Sequence, residues 1–393
     1  MPTDPDRTPY RSGDRPGTDR PPLIWQLRSP GRIVDVRNRA GTRAQSSLPH
    51  APGPDHRRPP DRTSVPVGQE CVLLVSRSCD QEARTLTRLL GKVGVPCWQL
   101  NADDLSATTL AVDPVTRTVR AGSLRFTPAL TWFRHFSEAA IDGSPDGSQA
   151  LFARMSWKAA ISQITDMSTA TLQPRCPGPL AQLALASRLG IAIPRTLAVS
   201  HPSLAIAEFG GQPLVVKAVG AHFVETAAGI LQGVFPEQVS SASLDTQWPT
   251  PAVPVIVQER IEHHSEIRLY LVDGRAFGFE VVKNSAADLW LKPDSVRVRA
   301  VPVPDQVSHA ARSIAAQLNL RYGAFDFLLT ASGPVFLEVN DNGDWCWIEE
   351  KSGTDVVTIA VTAMIAARYR QLAAPVSGSS DHSGRLDLLR FLA

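Results

Sequence analysis

Three oxygen-bearing side chains near the carboxyl end, Asp326, Glu338 and Asn340, stand where two strands would bring them together. The chain reads Tyr322-Gly-Ala-Phe-Asp-Phe-Leu-Leu-Thr330, an Ala-Ser-Gly-Pro turn, then Val335-Phe-Leu-Glu-Val-Asn340. Two apolar runs joined by a Ser-Gly turn spell a β-hairpin. Alternation along the second strand predicts Val335, Leu337 and Val339 on one face, with Phe336, Glu338 and Asn340 on the other. On the first strand Ala324, Asp326 and Leu328 oppose Phe325, Phe327 and Leu329, so Asp326 is the lone charge in an apolar strand and needs a partner if buried. Two carboxylates and an amide oxygen suit Mg²⁺, a hard cation usually held by one or two carboxylates plus substrate phosphates. The hairpin alone is equally compatible with strand-end carboxylates facing water.

The elements that must position this hairpin are readable from the patterning. A chain of 393 residues, 43% hydrophobic and 20% charged, has the length and composition for two or three globular domains. No run of about eighteen apolar residues is present to cross a bilayer. The amino terminus lacks the apolar core of a secretory signal. Five scattered cysteines (Cys71, Cys79, Cys97, Cys176, Cys346) without metal-ligand spacing suit a reducing cytoplasm. Residues 1–68 carry 12 Arg, 7 Asp, no Lys, no Glu and 13 of the 32 prolines, which predicts a disordered Pro/Arg-rich segment. The remainder holds 28 basic against 31 acidic residues, and this slightly acidic balance argues against a nucleic-acid enzyme.

Order is expected to begin at Cys71-Val-Leu-Leu-Val-Ser76, a buried parallel strand, followed by an Asp80-capped helix with Leu86, Leu89 and Leu90 inward and a second strand near Val95 to Leu100. No Gly-x-Gly-x-x-Gly follows the first strand, so a dinucleotide fold gains no support. Small antiparallel strands are expected over 108–126 and a further strand at Ala129-Leu-Thr-Trp-Phe-Arg134. A helix over 149–170 would turn Leu151, Phe152, Met155, Ile161 and Ile164 inward. A helix over 178–190 stops at Gly190. Lys217 ends the Val-rich run Leu214-Val-Val-Lys-Ala218, and Pro254-Val-Ile-Val-Gln-Glu-Arg-Ile261 is a buried strand. The adjacent His263 and His264 would point opposite ways on a strand and make a poor zinc pair. A helix over 304–320 is expected to bury Val307, Ala311, Ile314, Ala315 and Leu318. A last one, capped by Thr354, would bury Val357, Val361, Met364, Ile365 and Leu372.

The Asp, then Glu-x-Asn pattern resembles the metal-binding strands of the ATP-grasp superfamily. Its continuation, Leu337-Glu-Val-Asn-Asp-Asn-Gly-Asp-Trp-Cys-Trp-Ile-Glu-Glu-Lys-Ser-Gly353, resembles the signature of the graspetide synthetases, microviridin-type maturases of ribosomal peptides, with Asp341 for the usual Pro and Ser352 for the usual Thr. The resemblance extends more weakly from about residue 71 to 372. It implies an α+β / α/β architecture of the ATP-grasp type: an N-terminal α/β domain (69–175), a central lobe (176–258) and a C-terminal lobe with the Mg²⁺ site (259–372) clasping the nucleotide, then a flexible tail (373–393).

By resemblance Asp326, Glu338 and Asn340 hold Mg²⁺, Lys217 contacts the ATP phosphates, and Gln258, Glu259, Arg260 and Ile261 form the adenine hinge. Glu266 falls on the ribose and Arg268 on the phosphates or acyl phosphate. Lys283 and Asp288-Leu-Trp-Leu-Lys292 fall where the family carries an Asp-Trp-Arg-like element. Trp132-Phe-Arg-His135 resembles an aromatic-aromatic-Arg-Arg strand end, read either as a surface arginine or as a substrate contact. Pro179 stands where the family has a phosphate-directed Lys. The implied activity is ATP-dependent joining of Asp or Glu side chains of a precursor peptide, bound through its leader, to Ser or Thr hydroxyls or Lys amines, in the cytoplasm and as a possible homodimer. The alternatives are a glutamate-ligase-like enzyme for a free amino acid or small peptide, and a degenerate ATP-grasp binding protein.

Overall fold

The computed structural model describes Val34–Asp35 and residues 69–373, apart from 142–146, 221–222, 228–229, 234, 241–242, 245–252 and 286–287. The expected disorder of 1–68, apart from Val34–Asp35, and of the tail beyond residue 373 therefore lies outside the described residues. Val34–Asp35 is a two-residue strand antiparallel to Ile230–Gly233.

Gln69–Ser76 is buried along its apolar run, as a strand flanked on both sides should be. Asp80 caps helix Gln81–Lys92 by accepting the Ala83 N–H at 2.9 Å, and Cys97–Asn101 returns parallel to the first strand. Leu124–Phe133 lies on its other side, also parallel, and Thr118–Ala121 and Leu110–Asp113 continue the sheet antiparallel. Helix Ser148–Asp166 forms where expected, but only part of its expected inward face is covered. Ile161 and Ile164 enter the core beside Phe126 and Leu73, whereas Leu151, Phe152 and Met155 are exposed, because the packing is concentrated at the last turns.

Two antiparallel sheets follow. The first orders Glu237–Ser240, Pro213–Ala218, Val255–Glu259 and Thr196–Val199 side by side. The second orders Arg297–Val301, Arg275–Val282, Ser265–Val272, Tyr322–Thr330 and Gly333–Asn340. In its last hairpin Asp326 faces Glu338 but Phe327 faces Phe336, so Leu337 is an extra residue, a β-bulge. The expected shared face of Phe336 with Glu338 is thereby corrected. Phe336 turns into the core with Phe325, Phe327 and Val339, while Glu338 stays beside Asp326. Strict alternation would have forced either the aromatic ring out or the carboxylate in.

Helix Pro179–Arg188 and the residues after it pack on this second sheet through Leu183, Ala186, Ile191 and Ile193, on the same side as Val307, Ala311 and Ile314 of helix Asp305–Leu318. Helix Val356–Ala373 buries Val357, Val361, Met364 and Ile365 as expected, whereas Leu372, in its last turn, is only partly buried. Its cap differs: the Glu349 carboxylate, from the preceding helix Cys346–Ser352, accepts the Val357 and Thr358 N–H groups at 2.7 and 2.9 Å. A buried anion answers the positive helix end more strongly than the Thr354 hydroxyl would.

Candidate active site

The second sheet places Arg268, Asp326 and Glu338 in one cross-strand row, since Arg268 pairs with Asp326 and Asp326 with Glu338 in register. Asn340 stands one step along, opposite Ala324. The partner that Asp326 requires is Arg268, whose Nη1 donates to Oδ1 at 3.1 Å and Oδ2 at 2.8 Å. Burial and the neighbouring Glu338 charge still push the Asp326 carboxyl above its ordinary range against the opposing pull of Arg268. From the first sheet, Lys217 brings its nearly buried ammonium within 3.8 Å of Glu338 Oε2.

Glu266, two residues before Arg268, is held by Lys283 and by His263, whose Nε2 lies 3.3 Å from Oε1. Burial alone would raise the Glu266 carboxyl; the His263 hydrogen bond and the Lys283 charge outweigh it and hold it below the usual range. The same bond raises the His263 imidazole. Lys283 also lowers the Asp326 carboxyl electrostatically, a smaller effect than that of Arg268.

In the segment 258–261, expected to edge the adenine, Gln258 donates its side-chain amide to Thr196 Oγ1 at 2.9 Å. The Glu259 and Arg260 amides bond the Arg195 and Pro213 carbonyls, both at 3.0 Å, and the Glu259 carboxylate accepts the Arg195 N–H at 2.7 Å. Of these four residues, only Ile261 keeps an amide that no described residue engages.

The loop after Asn340 is closely fitted. A Cβ on Gly343 would meet the Ala324 Cβ at 2.5 Å and Arg268 Nη2 at 3.0 Å. Tyr322 donates to the Gly343 carbonyl and Tyr270 to that of Asp344, the latter at 2.6 Å. Here the N-terminal sheet reaches in. Trp132 Nε1 donates to Asn342 Oδ1 at 2.9 Å, and Glu82 Oε1 accepts the amides of Trp345 and Cys346 at 2.9 and 2.8 Å. His135 Nε2 lies 2.8 Å from Asp344. Arg134 is neither a surface residue nor exposed to a substrate: it is fully buried, paired to Asp80 at 2.9 Å and Asp344 at 3.4 Å, with its guanidinium 4.7 and 5.1 Å from the Trp132 and Trp345 ring centroids. None of this long-range assembly was signalled by the sequence except as an aromatic-Arg strand end.

The donor set fits a magnesium nucleotide. Two carboxylates in register, with the exposed Asn340 beside them, offer hard oxygen ligands, and Lys217 and Arg268 converge on the same row. Arg268 Nε is buried without a partner among the described residues, a donor left for an anionic group. Among the described residues no cluster of three His, Cys, Asp or Glu could hold a metal, and all five cysteines are free. No described helix is long and apolar enough to cross a membrane.

Two α+β sheets facing each other across this row, behind an N-terminal α/β unit, constitute the ATP-grasp fold. The same fold is seen in the crystal structure of macrocyclase MdnC bound with precursor peptide MdnA from Microcystis aeruginosa MRC, with a TM-score of 0.64 at 19% identity over 75% of this chain and 99% of that one. ATP-grasp ligase PsnB, complexed with a phosphomimetic variant of its minimal precursor, Mg and ADP, gives 0.59 at 18% identity over 77% and 99%. No protein-family model matches the chain. A probable α-L-glutamate ligase of Vibrio atlanticus is 27% identical over 185 residues, 45% of this chain and 59% of the relative. The chain thus spans about three fifths of the length of the curated relatives it matches.

Proposed function

We propose that this protein is an ATP-dependent ligase of the graspetide synthetase kind, which activates Asp or Glu side chains of a precursor peptide and joins them to hydroxyls or amines as ω-esters or ω-amides. The observation that carries this reading is the row Arg268–Asp326–Glu338 with Lys217 brought to it from the facing sheet. Asp326, Glu338 and Asn340 would hold Mg²⁺, which when bound neutralises phosphate charge. Lys217 would bind the ATP phosphates as a point charge. Glu266, kept ionised by Lys283 and His263, would accept the ribose hydroxyls, and residues 258–261 would edge the adenine.

In the reaction a substrate carboxylate oxygen takes the γ-phosphoryl group and ADP leaves. The amine or hydroxyl then attacks the acyl carbon, gives up its proton, and phosphate departs. Arg268 would stabilise the charge on the acyl phosphate. The assignment to a peptide substrate is supported by the precursor complexes of the structural neighbours; leader binding, a homodimer, cytoplasmic location and the domain boundaries at 175, 258 and 372 belong to the same proposal. A ligase for a free amino acid or small peptide is the second reading, favoured by the glutamate-ligase relatives. Co-expression with a candidate precursor peptide rich in Thr and acidic residues separates them: loss of one water per ring from that peptide supports the maturase. An unmodified peptide, together with ATP-dependent phosphate release on free glutamate, supports the other.

A further inference from the structure

The strand Gly333–Asn340 is the edge of its sheet, so its outer amides and carbonyls need partners from elsewhere. They come from the segment ahead of the central sheet. Gln182, buried on helix Pro179–Arg188, accepts the Val339 N–H on Oε1 at 2.8 Å and donates from Nε2 to the Val339 carbonyl at 3.0 Å. One side-chain amide thus stands in for a neighbouring strand at the residue between Glu338 and Asn340. Gln173 repeats the device at the open end of the hairpin, accepting the Tyr322 N–H and donating to the Asp341 carbonyl, both at 2.8 Å. The Asp341 carboxylate closes the clamp by accepting the Cys176 N–H at 2.8 Å, an interaction that the proline usual at this position could not make.

We propose that Gln182 is a positioning residue that fixes the spacing of the Glu338 and Asn340 oxygens by gripping both backbone groups of Val339. This rests on the metal-nucleotide reading above. Without the grip, the edge strand is free to twist about Val339, and the two ligand oxygens, which point from its flanks, lose their fixed separation. Partners of this kind around a metal site are typically worth 10- to 100-fold in metal affinity.

The test titrates full-length protein with Mn²⁺ in the presence of ADP, comparing wild type, Gln182→Met, Leu183→Ala and Glu338→Gln. Gln182→Met keeps the side-chain length and removes both hydrogen bonds to Val339, along with the Nε2 donations to the Pro177 carbonyl at 2.8 Å and to Cys176 Sγ at 3.4 Å. Leu183→Ala loosens the same helix by taking a buried side chain from its core contact, and leaves Val339 held. The expected result is a fall of about tenfold or more in Mn²⁺ affinity for Gln182→Met, with a less than twofold change for Leu183→Ala at a comparable loss of melting temperature. Equal losses in the two variants, or no loss in Gln182→Met, would overturn the proposal. If Gln182→Met does not fold, Gln182→Asn, whose amide is one methylene too short to span both groups, decides by the same criterion. If Glu338→Gln also leaves Mn²⁺ affinity unchanged, it is the metal reading itself that fails.

Discussion

The N-terminal unit and the C-terminal lobe are built as one body, whereas the central sheet is built apart. A single apolar core runs from Val72, Leu74 and Leu86 through Trp132 to Tyr270, Tyr322, Trp345 and Val361. Across it lie the Arg134, Glu82 and Trp132 contacts to the loop after Asn340. The central sheet closes instead over its own small core of Val199, Phe209, Leu214, Val216, Val255 and Val257. Among the described residues its ion pair to the other half is Lys217 with Glu338, at a loose 3.8 Å. Large shared apolar cores move as units, while small polar interfaces permit hinging. The carboxylates of the proposed site and Arg268 are therefore set in the half with the shared core, and Lys217, which would answer the ATP phosphates, is carried by the separately packed sheet.

The largest effect is expected where the two halves meet. Glu338→Gln should lower ATP-dependent product formation at least ~10-fold with folding intact, checked by phosphate release beside circular dichroism; an unimpaired variant breaks the assignment of the row. Within the half with the shared core, Arg134→Met leaves Asp80 buried and uncompensated and should cost about 3–5 kcal/mol in urea unfolding followed by tryptophan fluorescence. In the central sheet, Val257→Ala should cost about 1–3 kcal/mol, and amide exchange should quicken in 196–218 and 255–259 while the core around Trp345 stays protected. Matching exchange gains in both regions would show that the halves are one cooperative unit.

The smallest expected effect is a pH slope. Burial raises the Glu82 carboxyl to about 7, with Asp344 adding to the rise and Arg134 opposing it. An acid raised on folding binds more protons in the native state, so its contribution is present below its unfolded value and is lost as pH rises toward 7. Asp80 runs the other way: burial alone would raise it, but Arg134 and His135 hold it well below the usual carboxylate range, and its contribution is lost only on strong acidification. Glu82→Gln keeps an oxygen to accept the Trp345 and Cys346 amides. It should flatten the slope between about pH 4.5 and 7 and stabilise the protein by about 1–3 kcal/mol above pH 7, as measured by urea midpoints across that range.

The amino-acid sequence by itself determined the local pieces of this protein. A Val-rich run specified the strand carrying Lys217, period-two alternation the strand carrying Asp326, Asp80 announced its helix, and the Ser-Gly turn fixed the hairpin, because alternation, capping and turn chemistry act between residues a few positions apart. Asp326 stood out for the same reason, as the lone charge in an apolar strand, whereas the roles expected of Glu338, Asn340, Lys217 and Arg268 came from the family resemblance. Tertiary structure alone decided what lies between those pieces. The bulge at Leu337 follows from Phe336 seeking the core while Glu338 seeks the cleft, a conflict that alternation cannot express. Gln182 gave one faint signal, a polar side chain on the inward face beside Leu183 and Ala186, yet its partner Val339 lies 157 positions away. The burial of Arg134 between Asp80, Trp132 and Trp345 likewise exists only once distant segments pack. Such groups are satisfied by whatever the fold brings within about 3 Å, and that neighbourhood is a property of the packed chain.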